Sequence, residues 1–193
     1  MQTKERKLKV IEEEWKDCAK CPAMANSPIV FGYGNSDAKI AIIGGSPRTD
    51  IETEEMFEKI FDATGIDKDD VWFTNVCMCR APEVDERSRA PKKKEIENCR
   101  PRLTKEISAV DPKIIVLAGS TALLAFTGKR RITQNRGWVI KPGDPGPAGT
   151  EFTIGVYATL HPASFFSGGE EQVKKKKQMA WEDWKEIAEV YNA

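Results

Sequence analysis

Short apolar runs alternate with longer amphipathic segments through most of this sequence, and this alternation limits the folds open to the chain. The apolar runs are typical of buried strands and lie at residues 39–43, 71–76, 113–117 and 152–160. The spacing of apolar residues predicts helices at residues 4–17, 51–64, 94–109, 121–126 and 172–190. Strands joined by helices favour a parallel sheet. We therefore predict an α/β fold, with one domain over residues 1–193 and a central, mostly parallel sheet between two helical layers.

Polar or glycine-containing segments follow each of these strands. Residues 44–47, Asn75, Gly119 and His161 all stand at or just beyond a predicted strand end. In open parallel sheets, ligands bind beyond the carboxyl ends of the strands. We therefore expect these residues to meet at one edge of the sheet.

The stretch 71–80 combines two kinds of chemistry. Its apolar part ends in Asn75, whose amide offers a donor and an acceptor to the edge of a flat base. Cys79 follows four residues later and can ligate a metal. The sequence thus predicts a binding pocket next to a structural cofactor.

Charge and hydropathy constrain the partners and the compartment only loosely. Lys plus Arg and Asp plus Glu number 30 each, so a net charge of zero neither favours nor excludes nucleic acid. Apolar runs fall short of membrane-spanning length, and the charged segment 1–9 lacks a signal-peptide core. We expect a cytoplasmic protein without a membrane partner.

Five cysteines in a cytoplasmic protein favour metal binding or reactivity over disulfides. Cys18 and Cys21 form a CxxC that follows a predicted helix, whereas a redox CxxC normally opens one. Two separate cysteines further along the chain, Cys79 and Cys99, complete a set that can hold zinc or an iron–sulfur cluster. Unrelated buried thiols are the remaining alternative.

Motifs in a fixed order resemble those of the family 4 uracil-DNA glycosylases, the iron–sulfur branch of the uracil-DNA glycosylase superfamily. The resemblance covers the chain from about residue 15 to about residue 190. The motifs are CxxCP at 18–22, FGxG at 31–34, Thr-Asn at 74–75 with a CRP-like turn at 79–82, a helical cysteine at 99, an apolar strand ending in glycine at 117–119, and His-Pro-Ala at 161–163.

The resemblance implies a DNA glycosylase that flips a nucleotide into a pocket and hydrolyses the bond between base and sugar. Asn75 would read the base edge, and His161 would stabilise the departing base. Asp50 and Glu52 are the nearest carboxylates after the first strand and are the candidates for positioning water, with solvated residues at a helix start as the alternative. The backbone of the loop at the first strand end would line the pocket, through Gly44, Gly45, Ser46 and Pro47.

The resemblance also implies a cofactor and a DNA-binding face on a protein that we expect to be a monomer. A [4Fe–4S] cluster would be held by Cys18, Cys21, Cys79 and Cys99, with Cys77 outside the pattern. Candidate DNA contacts are Arg130, Arg131, Arg136, Pro162 and Ser164. Phe165 and Phe166 are predicted either to wedge into the base stack or to pack in the core.

Two departures from the family pattern bear on the substrate. The family has a glutamate at the position of Gly45. The family also has an inserted segment with an aromatic residue that stacks on uracil, and this chain has no equivalent of that segment. We therefore expect an enlarged pocket for a base bigger than uracil, such as a hydroxymethylated or glycosylated cytosine. Superfamily members that attack modified phage bases suggest an antiviral role. Ordinary uracil repair, a non-catalytic DNA-binding module, and a zinc or redox protein unrelated to DNA are the alternatives.

Overall fold

A computed structural model describes residues 2–24, 26–48, 51–84, 87–146 and 150–193. The helices are α1 (Lys4–Trp15), α2 (Ile51–Thr64), α3 (Lys93–Val110), α4 (Ser120–Thr127) and α5 (Glu170–Tyr191). The strands are β1 (Tyr33–Gly34), β2 (Ile40–Gly44), β3 (Val71–Asn75), β4 (Glu83–Val84), β5 (Arg87–Ser88), β6 (Ile114–Ala118), β7 (Gly137–Ile140) and β8 (Gly155–Thr159). Short 3-10 turns lie at Pro22–Met24, Lys68–Asp70, Ile132–Gln134 and Pro162–Phe166.

Within the described residues, six strands form one sheet in the order β1-β3-β2-β6-β8-β7. The central strands β3, β2, β6 and β8 are parallel, and the two edge strands are antiparallel to their neighbours. This confirms the predicted central, mostly parallel sheet. The polar, proline-containing composition of residues 81–94 predicts a loop, and the β4–β5 hairpin in this segment corrects that prediction.

Alternating strand side chains build a core on each face of the sheet. Ile40 and Ile42 of β2 pack with α2 and α5, whose Phe57 and Trp184 are buried. Ile43 of the same strand faces the opposite cluster, which includes buried residues of α1, α3 and α4. Successive residues of a strand point to opposite faces, so every residue of β2 is buried. The result is the predicted three-layer α/β/α arrangement.

The last strand begins later than the sequence suggests, at Gly155 instead of Phe152. A Cβ built on Gly155 would lie 2.7 Å from Trp138 and 2.9 Å from Pro142, so the chain packs tightly where β8 begins. None of the helices in the described part of the chain is both long enough and apolar enough to cross a membrane.

Candidate functional site

Gly44, Asn75 and His161 meet at the carboxyl edge of the sheet. Gly44 of β2 is paired with Asn75 of β3, and His161 follows the end of β8 by two residues. A Cβ built on Gly44 would lie 2.5 Å from Asn75 Oδ1 and 3.6 Å from His161 Nε2. Only glycine therefore leaves room for the amide and the imidazole to approach each other, and the predicted meeting of these three residues is confirmed.

Asn75 and His161 line a cavity of about 420 Å³, which we call the aromatic cavity. Its walls include the rings of Tyr33, Phe57 and Phe73. Tyr33 and Phe73 stack with ring centroids 5.3 Å apart, and Phe57 meets Phe73 edge-on at 5.3 Å. The expectation that the pocket lacks an aromatic wall is therefore wrong. The rings come from β1, β3 and α2 instead of from the missing segment.

The imidazole of His161 has a fixed hydrogen-bonding role. Its Nδ1 accepts a hydrogen bond of 3.2 Å from the backbone N–H of Ala163 and caps the 3-10 turn Pro162–Phe166. In the neutral ring the proton is then on Nε2, the nitrogen near Asn75. Phe57 packs edge-on against the ring, with centroids 6.0 Å apart. His161 therefore presents an N–H donor beside the amide.

A second cavity of about 410 Å³, the arginine cavity, adjoins the first and shares His161 with it. Arg48, Arg80 and Arg89 line it, and no Asp or Glu is among its described lining residues. Arg89 forms hydrogen bonds of 2.8 and 2.7 Å with both carboxylate oxygens of Glu95, which raise the pKa of the guanidinium. Because the Glu95 carboxylate offsets the charge of Arg89, the lining charge that suits negative groups such as phosphates comes from Arg48 and Arg80. Sequence reasoning missed Arg80 and Arg89 because neither lies in a run of basic residues.

The position of the missing glutamate is sterically closed. A Cβ built on Gly45 would lie 2.9 Å from Thr121 Cβ, 3.2 Å from Thr121 Oγ1 and 3.3 Å from Thr121 Cγ2. Thr121 at the start of α4 thus occupies the space that a side chain at position 45 would need. An acid cannot be restored at Gly45 unless Thr121 is also replaced by a smaller residue.

Two carboxylates that the sequence analysis did not select line the aromatic cavity. Glu54 and Glu58 are four residues apart on α2 and share the helix face that Phe57 anchors. That spacing was the signal that could have identified them. Glu54 and burial together raise the pKa of the Tyr33 hydroxyl, with burial the larger cause. Of the predicted water-positioning residues, Asp50 lies outside the described residues.

Four cysteine side chains line one small cavity next to α3, and we call them the thiol cluster; they are Cys18, Cys21, Cys79 and Cys99. The pKa of the Cys79 thiol is raised to about 11, first by burial and then by the charges of the other three. All five cysteines are free thiols. Cys77 is completely buried and does not line this cavity.

The thiol cluster offers the donor set of an iron–sulfur cluster. Among the described residues, no three His, Cys, Asp or Glu side chains converge on a point that could hold one metal ion, as tetrahedral zinc would require. A [4Fe–4S] cluster takes one thiolate per iron, so its ligands stand further apart. Of the four thiols around this cavity, Cys18 and Cys21 are half-buried, whereas Cys79 and Cys99 are buried.

The predicted DNA contacts fall into two groups. Arg130 and Arg131 are exposed before the 3-10 turn Ile132–Gln134. Pro162 is buried, and the Ser164 hydroxyl oxygen is buried with no hydrogen-bond partner among the described residues. Phe165 packs in the core, whereas Phe166 is 50% exposed and free to act as a wedge.

Arg136 is a correction to the predicted DNA contacts. Its guanidinium donates hydrogen bonds of 2.5 Å to Asp183, 3.1 Å to Glu182 and 3.0 Å to the Met179 carbonyl, all on α5. Asp183 also accepts a bond of 2.6 Å from Thr159 of β8, and its burial raises its pKa. Arg136 therefore compensates a buried carboxylate and is not available to bind a phosphate.

Replacing Arg136 with Met should destabilise the protein by about 3–5 kcal/mol, because Asp183 would keep a buried charge without its partner. Urea denaturation measures this loss. The slope of the logarithm of the DNA-binding constant against the logarithm of salt concentration should stay unchanged in Arg136→Met. In Arg130→Ala the magnitude of that slope should fall by about one if Arg130 contacts a phosphate. A reduced slope in Arg136→Met would restore it as a DNA contact.

The fold and this edge of the sheet define an α/β protein with a cavity suited to a flat heterocycle. A family profile described as "Uracil DNA glycosylase superfamily" matches residues 31–185. The chain is 30% identical over 149 residues to the Type-4 uracil-DNA glycosylase of Thermotoga maritima, an alignment that covers 71% of this chain and 76% of that protein. It is 29% identical over 203 residues to the Type-4 uracil-DNA glycosylase of Sulfurisphaera tokodaii, covering 95% and 84%. The chain therefore belongs to the uracil DNA glycosylase superfamily, and its enzyme class is DNA glycosylase.

Proposed function

We propose that this protein hydrolyses the N-glycosidic bond of a pyrimidine flipped out of DNA and leaves an abasic site. The observation that carries the proposal is the aromatic cavity, where the Asn75 amide and the His161 imidazole stand together among three aromatic rings. A flipped base is read by hydrogen bonds to its edge and by packing against apolar or aromatic side chains. Membership of the superfamily supplies the reaction class.

Each polar group near the cavity has a role in this reaction. The departing base carries negative charge, which the Nε2–H of His161 stabilises by donating a hydrogen bond to a base oxygen. Asn75 donates and accepts at the base edge. Gly44 serves the site by leaving room for the Asn75 amide, because a Cβ at this position would lie 2.5 Å from Asn75 Oδ1.

The sugar gains positive charge as the bond breaks, and water must attack it. Carboxylates favour both events, the first by charge and the second by accepting a proton. Glu54 and Glu58 line the cavity and can serve in this way, and Asp50 is a candidate from the sequence. In this proposal the α2 carboxylates replace the glutamate that the chain lacks at Gly45.

The substrate in this proposal is a pyrimidine with a large, hydroxyl-rich substituent, such as a glycosylated hydroxymethylcytosine. A cavity of about 420 Å³ is of the size that holds drug-sized ligands, which are larger than a bare pyrimidine ring. Tyr33, Glu54, Glu58 and Lys68 also line it and can hydrogen-bond hydroxyl groups. Bases of this kind occur in phage DNA, so the proposed role is antiviral defence.

The proposal includes a [4Fe–4S] cluster bound by the thiol cluster. Bound there, it would tie the segment 18–21 to the segment after β3 and to α3, and so would act as a structural crosslink. The donor set of four free thiols around one cavity supports it. We also propose that the protein acts as a monomer in the cytoplasm, which rests on its amino-acid composition.

Uracil excision is the second candidate. The observation that favours it is the name of the relatives, which are Type-4 uracil-DNA glycosylases. The two candidates share the site and differ only in the base.

Base release from a panel of DNA duplexes tests the function. The panel carries uracil, unmodified cytosine, hydroxymethylcytosine or its glycosylated form, and chromatography detects the free base while alkaline cleavage detects the abasic site. We expect release of the glycosylated base with little or no release of uracil. Fast release of uracil alone would establish the second candidate, and tight DNA binding without release of any base would indicate a non-catalytic binding module.

A further inference from the structure

The fully buried Arg102 lies directly behind the base-reading residue. It belongs to α3, is 0% exposed, and forms an ion pair with Glu106 one helical turn further on. Burying a guanidinium costs solvation free energy, which the groups that bond to it must offset. The groups that bond to Arg102 therefore indicate which part of the structure it positions.

Glu106 fixes this ion pair to strand β3. One carboxylate oxygen accepts a hydrogen bond of 2.9 Å from Trp72 Nε1, and the other accepts one of 3.1 Å from the Thr74 hydroxyl. A Cβ built on Gly32 would collide with Glu106 and with the Trp72 ring, so the carboxylate packs directly on the Gly32 backbone. Trp72 and Thr74 alternate along β3 with Phe73 and Asn75, which both line the aromatic cavity.

Arg102 itself holds the peptide group that follows Asn75. Its Nη2 donates a hydrogen bond of 2.5 Å to the Asn75 carbonyl and one of 3.4 Å to the Val76 carbonyl. The N–H of the same peptide group, on Val76, donates a bond of 2.9 Å to the Gly44 carbonyl. The Asn75–Val76 peptide is thus held on both sides, by the guanidinium and by the loop that borders the cavity.

Arg102 lies about one helical turn from the thiol cluster. Cys99 precedes it by three residues on α3 and is also buried. One helix therefore carries both a proposed cluster ligand and the guanidinium that holds the peptide after the base reader.

We propose that Arg102 is a positioning residue, which sets the direction of the Asn75 amide through the Asn75 carbonyl. It touches neither base nor sugar. A displacement of a reacting group by about 1 Å costs on the order of 10²-fold in rate. The inference rests on the proposed base excision for its kinetic test.

Arg102→Lys is the deciding variant, because lysine keeps the charge that Glu106 needs but lacks the second arm that reaches the Asn75 carbonyl. We expect kcat for base release to fall by on the order of 10²-fold, with DNA affinity and bound iron unchanged. Arg102→Met should lose more activity and stability. The matched control is Arg100→Met on the same helix, since Arg100 donates a bond of 2.8 Å to Ala125 and does not contact Asn75; it should keep full activity.

A double variant separates positioning from a general structural role. If Arg102 acts through Asn75, then Arg102→Lys should cause no further loss of kcat in an Asn75→Ala background. Losses that multiply, or an Arg102→Lys protein with wild-type kcat, would overturn the inference.

The side-chain amide signal of Asn75 in a nitrogen-15 NMR spectrum gives a readout that needs no substrate. It should shift or broaden in Arg102→Lys and stay unchanged in Arg100→Met. An unchanged Asn75 signal in Arg102→Lys would contradict the inference, whether or not the wild-type protein releases a base. Failure of the wild-type protein to release any tested base would instead contradict the proposed function.

Discussion

His161→Ala should lower single-turnover base release by on the order of 10²–10³-fold, while DNA affinity changes little. The imidazole Nε2–H is the donor placed beside Asn75, and removing one such donor from a charge-stabilising site typically costs this much in rate. Affinity for DNA rests mostly on phosphate contacts, which the substitution leaves in place. Rapid-quench measurement of base release, with enzyme in excess over DNA, separates the two effects.

His161 also caps a turn through Nδ1, so a control must preserve that bond. Asn is such a residue, because its side-chain oxygen can accept from the Ala163 N–H at a similar distance along the side chain. His161→Asn should therefore keep the wild-type unfolding midpoint and still lose base release. Full excision by either variant would remove His161 from the mechanism.

Cys99→Ser should abolish the bound cluster and lower stability. Protein prepared without oxygen is expected to be brown and to contain about four irons per chain, as a [4Fe–4S] cluster requires. Loss of a ligand should reduce metal affinity by more than the roughly 10–100-fold that loss of an outer-shell partner costs. Because cluster binding is coupled to folding, the urea midpoint should fall with the visible absorbance.

Cys77 is the matched control for this substitution. It is buried like Cys99, yet it does not line the cavity of the thiol cluster. Cys77→Ala should keep iron and visible absorbance. Zinc without iron in wild-type protein prepared anaerobically would refute the cluster assignment.

The sheet and the meeting of Asn75 with His161 follow from local pattern. Strand and helix periodicities are visible in the sequence, and parallel strands place their carboxyl ends at one edge, so Gly44, Asn75 and His161 had to come together. The two-residue strands β1, β4 and β5 carry too few residues to show a period of their own.

The side-chain partners could not be read from the sequence, because a charged residue looks the same whether it is solvated or paired. Arg136 stands near basic residues in the chain but pairs with Asp183 on a distant helix. Arg102 and Glu106 resemble an ordinary exposed helix pair and are instead buried. Glu54 and Glu58 line the aromatic cavity only because Phe57 turns that helix face toward β3.

A crystal structure of the His161→Ala variant bound to duplex DNA tests the central claim most directly. The duplex would carry the base that the release assay identifies as the substrate, attached to a fluorinated sugar that resists cleavage. We expect the base to lie flipped in the aromatic cavity, with its edge against the Asn75 amide, its ring against Phe73, and a backbone phosphate in the arginine cavity. A base that remains stacked in the duplex, or that binds away from Asn75, would contradict the account.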